Sequence, residues 1–359
     1  MSRAWEQACV VASRLVQSSN DVRLSMGIVE ANGKRLASSS GLDETQNPLF
    51  LCASITKLLV STAVMLLVER GELSLTDRVI RYVPEFKPHN KHVITIHHLL
   101  SHTSGLPDTL PDDKQLRADN ASISTFFEKT CRCELIFTPG STARYASMSF
   151  VLLEEVVRRI TGCSMREWLH RELLWPLRMT STWLGFDRRS LERTSDVVRV
   201  DTTLQQVEPT GDWNSAYWYT LGAPWGGLIS CTNDLLNYCE MILGDGVFRG
   251  QQIVSKQTVE RMLGNRLSDY SEIDPKEVKH RGWGLGWRLN WVNHRTTFSD
   301  LLDADVAGHW GATGTLLWVD RQRGNAAVIL SNQPVLDDYS SLVKLSNALT
   351  IAAGDLAFH

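Results

Sequence analysis

Ser54-Ile55-Thr56-Lys57 sets a hydroxyl and an amine three residues apart, a spacing that puts both on one face of a helix. Lys57 is the only charged residue between Glu44 and Glu69. The run from Leu51 to Val68 has helical character and little polarity, so it is expected to be a buried helix. Burial disfavours the ammonium form of a lysine. A neutral amine is a base, and a base beside a hydroxyl is the arrangement of nucleophilic catalysis. The plainer alternative is a lysine that snorkels to the surface beside an ordinary serine. Two more segments carry chemistry. Tyr145 lies in a turn just ahead of a helix, where a phenol beside an ammonium has a lowered pKa and exchanges protons. Its alternative is a buried tyrosine with one hydrogen-bond partner. Ala307 to Thr315 contains Gly308, Gly311 and Gly314, which let backbone approach a ligand closely. Backbone N–H groups there can form part of an oxyanion hole.

Those segments need elements to hold them. Leu24 to Val29 and Lys34 to Ser38 flank Asn32-Gly33, a hairpin signal. The buried helix is expected to end near Gly71. Polar sequence punctuated by Pro84, Pro88, Pro107, Pro111 and Pro139 follows. Ser147 to Ile160 reads as an amphipathic helix, with Met148, Val151, Leu152, Val156 and Ile160 on one face and Gly162 closing it. Beyond Gly222 the pattern reads as short strands and turns. Gly314 to Asp320 and Asn325 to Ser331 read as strands, and Tyr339 to Ala353 as a closing helix. Strands at both ends with helices between them suggest one sheet built from both termini around a helical insertion.

At 359 residues the chain can bury a large core. Its net charge of -3 argues against a nucleic-acid partner. No stretch reaches the ~18 apolar residues of a membrane helix. Met1 to Arg14 reads as an amphipathic surface helix and not a secretory leader, which points to a cytoplasmic location. Seven cysteines without framework spacing suggest free thiols in a reducing compartment. Cys131-Arg132-Cys133 has no matching Cys/His pair nearby, so no metal is expected there. Eight of the twelve tryptophans follow residue 210, and most are expected in packing.

Taken in order, Ser54-x-x-Lys57, Tyr145-x-Ser147 and His309-x-Gly311 resemble the serine β-lactamase and penicillin-binding-protein superfamily. Within it the chain is most similar to the class C β-lactamase-related branch, with its DD-peptidases, D-aminopeptidases and family VIII carboxylesterases. The resemblance extends through Gly71-Glu72-Leu73-Ser74-Leu75-Thr76-Asp77, Ile94 to Pro107, Gly226 to Ser230 and Gly282 to Trp287, and covers roughly residues 25 to 350.

The resemblance implies an α+β fold of the β-lactamase/transpeptidase type, an antiparallel sheet flanked by helices. One catalytic domain over 1–359 is expected, with 1–80 and 205–359 in an α/β lobe and 81–204 in a mostly helical lobe. It implies acyl transfer in which Ser54 attacks a carbonyl while Lys57 and Tyr145 carry the proton. The N–H groups of Ser54 and Ala312 would hold the oxyanion. Ser147, His309, Trp310, Gly311 and Trp225 are expected beside the substrate. His97, His98 and His102 are implied to be structural, needing no metal, and no cofactor is expected. Ser147 replaces the usual Asn of Tyr-x-Asn, and His309-Trp310-Gly311 replaces Lys-Thr-Gly. These departures move the expected activity from β-lactam hydrolysis towards a carboxylesterase, with a peptidase, a β-lactamase or a non-catalytic binding protein as alternatives. The expected partner is a small ester, amide or β-lactam substrate, with neither nucleic acid nor membrane.

Overall fold

Apolar runs from the two ends of the chain meet in one sheet. The structure is a computed structural model that describes residues 2–17, 21–42, 47–87, 89–202, 213–334 and 339–356. Helix α1 (Arg3–Gln17) leads into β1 (Leu24–Glu30) and β2 (Arg35–Ser40), a hairpin whose turn sets Gly33 at φ +84°. The strands of the two larger sheets that follow are β3 (Phe50–Ala53), β4 (Trp183–Leu184), β5 (Leu228–Ser230), β6 (Arg288–Leu289), β7 (Ala307–Gly311), β8 (Thr315–Asp320) and β9 (Asn325–Ser331). Six strands form an antiparallel sheet in the order β2-β1-β9-β8-β7-β6, and β3, β5 and β4 form a second.

The central strands β1, β8 and β9 are buried on both faces and largely apolar, while the edge strand β2 is polar and half-exposed. Met26, Ile28, Trp310, Trp318 and Ile329 face α1 and the closing helix (Ser340–Leu356), while Val29, Leu317, Val319, Val328 and Leu330 face the larger core. The larger core is organised by helix α2 (Thr56–Glu69), in which every residue from Thr56 to Leu67 is buried. A helix apolar all round belongs in an interior. Each fully buried Leu, Val or Met there stabilises the fold by roughly 1.5–3 kcal/mol. Helix α4 (Met148–Thr161) packs beside it, and α3 (Ile96–Leu100) packs on α4.

Element boundaries depart from expectation by one to three residues at the first hairpin, α4 and the closing helix. Larger departures are Leu51–Ala53, expected within the buried helix but part of β3, because the left-handed Ala53 keeps the helix from starting before Thr56, and Lys256–Leu263 and Pro275–His280, expected among strands and turns but helical. Thr232–Leu243, expected among strands and turns, is helix α5, and it covers β1 and β9. Two of its polar residues are buried and used internally, Asp234 by Ser181 and Thr182 and Asn237 by Arg35 and the Leu177 carbonyl, which blurs its amphipathic stripe. The expected lobe boundary at 204/205 lies outside the described residues. All seven cysteines are free. Among the described residues no helix is long and apolar enough to cross a membrane.

Candidate active site

Strand β3 delivers Ser54 to the start of α2 through a tight turn. Ala53 adopts φ +46°, a left-handed backbone that costs a non-glycine residue about 1–2 kcal/mol. Thr56 locks the turn: its hydroxyl donates to the Ala53 carbonyl at 2.5 Å and accepts the Leu228 N–H at 3.0 Å. Lys57, one residue into the helix, has no solvent exposure, which removes the snorkelling alternative. Its Nζ donates to the Trp225 carbonyl at 2.6 Å and lies 3.2 Å from Ser54 Oγ. The ring centroids of Tyr145 and Phe150 stand 4.6 and 5.5 Å from it. Burial lowers the Lys57 pKa to about 7, opposed only by the negative charge of Asp108.

The Tyr145 hydroxyl donates to Ser54 Oγ at 2.6 Å. The expectation of an acidified phenol is wrong. Burial, and then the charge of Asp108, push the Tyr145 pKa far above its ordinary value. The ammonium that was to acidify it is itself held near neutrality, so Tyr145 stays protonated and Lys57 is the group able to act as a free base near pH 7.

Strand β7 and its turn form the facing wall. Thr313 Oγ1 donates to the Leu51 carbonyl at 2.6 Å and Thr315 Oγ1 to the Cys52 carbonyl at 3.0 Å, tying that turn to the residues ahead of Ser54. Gly311 lies flat against them. A Cβ there would come within 2.0 Å of Thr315 Oγ1 and 2.5 Å of the Cys52 carbonyl. Ala312, exposed in the turn, follows it. Gly311→Ala is therefore expected to push the turn away from Ser54. It should cut kcat/KM by roughly 10²-fold, the scale of one lost oxyanion donor; a loss under threefold would show that the turn does not act on the reaction.

His309 faces the same core as Lys57, as strand alternation requires, and its ring stands 5.6 Å from that of Tyr145. Its Nδ1 is 2.6 Å from the Trp310 carbonyl, an acceptor, so the proton sits on Nδ1. Nε2 is then a bare acceptor, buried and without a partner among the described residues. Burial, and then the Lys57 charge, lower the His309 pKa to about 3.

Two expected substrate contacts are placed otherwise, and a third, Ser147, is held by Asp108. The Trp310 ring points to the opposite face, donating to the Thr296 carbonyl at 2.9 Å and packing against Tyr339, because neighbouring strand residues alternate. The Trp225 ring packs on Phe126 in the core, and only its carbonyl reaches the site, at Lys57. Ser147 donates its hydroxyl to Asp108 Oδ1 at 2.6 Å and its N–H to the same oxygen at 3.1 Å.

Sequence reasoning missed Asp108, which directly follows the Gly105-Leu106-Pro107 segment. It also missed Trp283, whose ring contacts Tyr145, His102, His309 and Trp291. Gly286, in the turn that follows Trp283, adopts φ +74° against α2; a Cβ at Gly286 would sit 1.8 Å from Ser61 Oγ. A third omission is Arg288, 5% exposed, stacked 3.9 Å over Trp291 and donating to Thr296 Oγ1 at 2.7 Å. Its Nε is buried without a partner and it has no acidic partner among the described residues. Burial lowers its pKa to about 9. The histidines form no metal group among the described residues: His97 bonds Tyr270 and pairs with Asp269, His98 bonds Thr95, and His102 bonds Ala146.

The profile of the Beta-lactamase family matches residues 14–347. A Salmonella agona protein named "Putative D-alanyl-D-alanine carboxypeptidase" is 26% identical over 81% of this chain and 70% of its own length. A penicillin-binding protein homologue from Caulobacter crescentus superposes with a TM-score of 0.81 at 18% identity, over 98% of each chain. EstCE1, described as a hydrolase with promiscuous acyltransferase activity, superposes with a TM-score of 0.76 at 18% identity, over 96% of this chain and 98% of that one.

Proposed function

We propose, from the premise that the chain belongs to the Beta-lactamase family and is a serine hydrolase, that it is a carboxylesterase acting on small uncharged esters through an acyl-enzyme on Ser54. The observation that carries this reading is the cluster in which Ser54 Oγ lies 2.6 Å from the Tyr145 hydroxyl and 3.2 Å from Lys57 Nζ. Neutral Lys57 gives one N–H to the Trp225 carbonyl and turns its lone pair to the Ser54 proton. Ser54 Oγ bonds to the carbonyl carbon, and the oxyanion takes hydrogen bonds from the N–H groups of Ser54 and Ala312. The C–O bond to the leaving group then breaks, and Tyr145 delivers the proton that the leaving alkoxide needs, refilled from Lys57. Water repeats the sequence in reverse roles to release the acid.

His309 supports the choice of an uncharged substrate. A lysine there would present a fixed cation, whereas neutral His309 presents an acceptor lone pair at Nε2. An acceptor repels a carboxylate and suits a substrate N–H or O–H. Short-chain esters are therefore expected to turn over, and penicillins and cephalosporins to react slowly or only to acylate Ser54. His309→Lys should shift preference towards carboxylate-bearing substrates.

Arg288 favours a second reading. A buried guanidinium with an unpartnered Nε and no acidic partner among the described residues is suited to a ligand carboxylate. That chemistry fits a D-alanyl-D-alanine carboxypeptidase, the name carried by the Salmonella relative. Matched neutral and anionic substrates separate the two. An anionic preference of tenfold or more in kcat/KM, about 1.4 kcal/mol in transition-state binding, lost in Arg288→Gln, would replace the esterase reading with the carboxypeptidase one.

A further inference from the structure

We infer that His102 is the positioning residue for the Tyr145 phenol, holding it as a neutral clamp on both sides; the inference rests on the reading that Tyr145 carries a proton in the reaction. The two amides that flank Tyr145 both end on His102. The Arg144 N–H donates to the His102 carbonyl at 2.9 Å, and the Ala146 N–H donates to His102 Nδ1 at 3.1 Å. One residue presents both acceptors because its backbone is left-handed, φ +58°, an uncommon state for a residue other than glycine. The ring is fully buried between Tyr145 at 5.0 Å, Phe150 at 5.9 Å and Trp283 at 4.4 Å.

The clamp dictates the tautomer. Nδ1 accepts from an amide, so it carries the lone pair and the proton sits on Nε2. A protonated ring would set N–H against N–H at Ala146. Burial, and then the charges of Lys57 and His309, hold the His102 pKa well below its ordinary value, so the acceptor is kept. The geometry matters because Tyr145 must stay 2.6 Å from Ser54 Oγ, and a displacement near 1 Å can cost roughly 10²-fold in rate.

Two substitutions divide the two properties of the ring. Asn places Oδ1 where His places Nδ1 and tolerates a left-handed backbone, so His102→Asn keeps the acceptor and loses the ring. His102→Phe keeps the ring volume and loses the acceptor. With a neutral ester, assayed well below each variant's Tm, His102→Phe is expected to lower kcat about 10- to 100-fold with KM within about twofold, while His102→Asn recovers at least tenfold of that loss. In a Tyr145→Phe background, His102→Phe is expected to cost less than about twofold more. A larger loss in the Asn variant than in the Phe variant, or a full loss persisting without the phenol, overturns the clamp. If His102→Phe does not fold, the Asn variant decides: a loss within about threefold supports the clamp and one above tenfold overturns it. Tyr145→Phe at wild-type turnover would overturn the proton-transfer role instead, whereas a costly Tyr145→Phe with a harmless His102→Phe overturns the clamp alone.

Discussion

Ser54→Ala is expected to lower kcat for a neutral ester by at least about 10⁴-fold, the scale of removing a nucleophile that works as a unit with its base. The reason is geometric: this hydroxyl receives both the Tyr145 phenol and Lys57 Nζ, on a turn held by Ala53 and Thr56. An active-site serine probe, followed by peptide mass mapping, should label Ser54 alone. Labelling of a different serine that survives Ser54→Ala would end the assignment. So would a probe-silent protein that still hydrolyses the ester.

Lys57→Met should cost about 10³-fold or more in kcat and remove the acid limb of the pH profile. In the wild type, kcat/KM for a neutral ester should rise with pH through about 7, where Lys57 loses its proton, and then level off. Added to Ser54→Ala, the change should cost almost nothing further. The same residue makes an opposite prediction for stability. Its pKa is lowered in the folded state, so the unfolded chain binds the extra proton between the folded value near 7 and the ordinary value of 10.5. Stability contributed by Lys57 therefore falls as the pH drops through that window and is lowest below about 7. Lys57→Met should raise Tm, more at pH 7 than at pH 10, because linkage adds up to about 5 kcal/mol to the unfolding free energy before the lost hydrogen bond to the Trp225 carbonyl is subtracted. A variant that keeps the acid limb, or that melts lower than wild type at pH 7 and no lower at pH 10, contradicts the buried neutral amine.

The sequence by itself determined that Lys57 is buried beside Ser54. A single lysine in an otherwise uncharged run had to be buried, because the helix around it has no polar face through which to escape. The hairpin at Asn32-Gly33, β8, β9, α4 and the closing helix were legible for the same reason: local turn chemistry and hydrophobic period act over short spans. Protonation and direction were not legible, because both depend on neighbours distant in sequence. Tyr145 was expected to be acidified, yet burial against His102 and Trp283, and then the charge of Asp108, keep it protonated. His309 and Trp310 are adjacent, yet strand alternation sends one to the site and the other to the far core. The tautomers of His102 and His309 were settled only when folding brought the Ala146 N–H to one ring and the Trp310 carbonyl to the other. Helix α5 escaped notice because its Asp234 and Asn237 are satisfied inside the fold. Spacing sets which side chains can be near one another; the tertiary structure decides their solvation and their hydrogen-bond partners, and through these which group holds the proton.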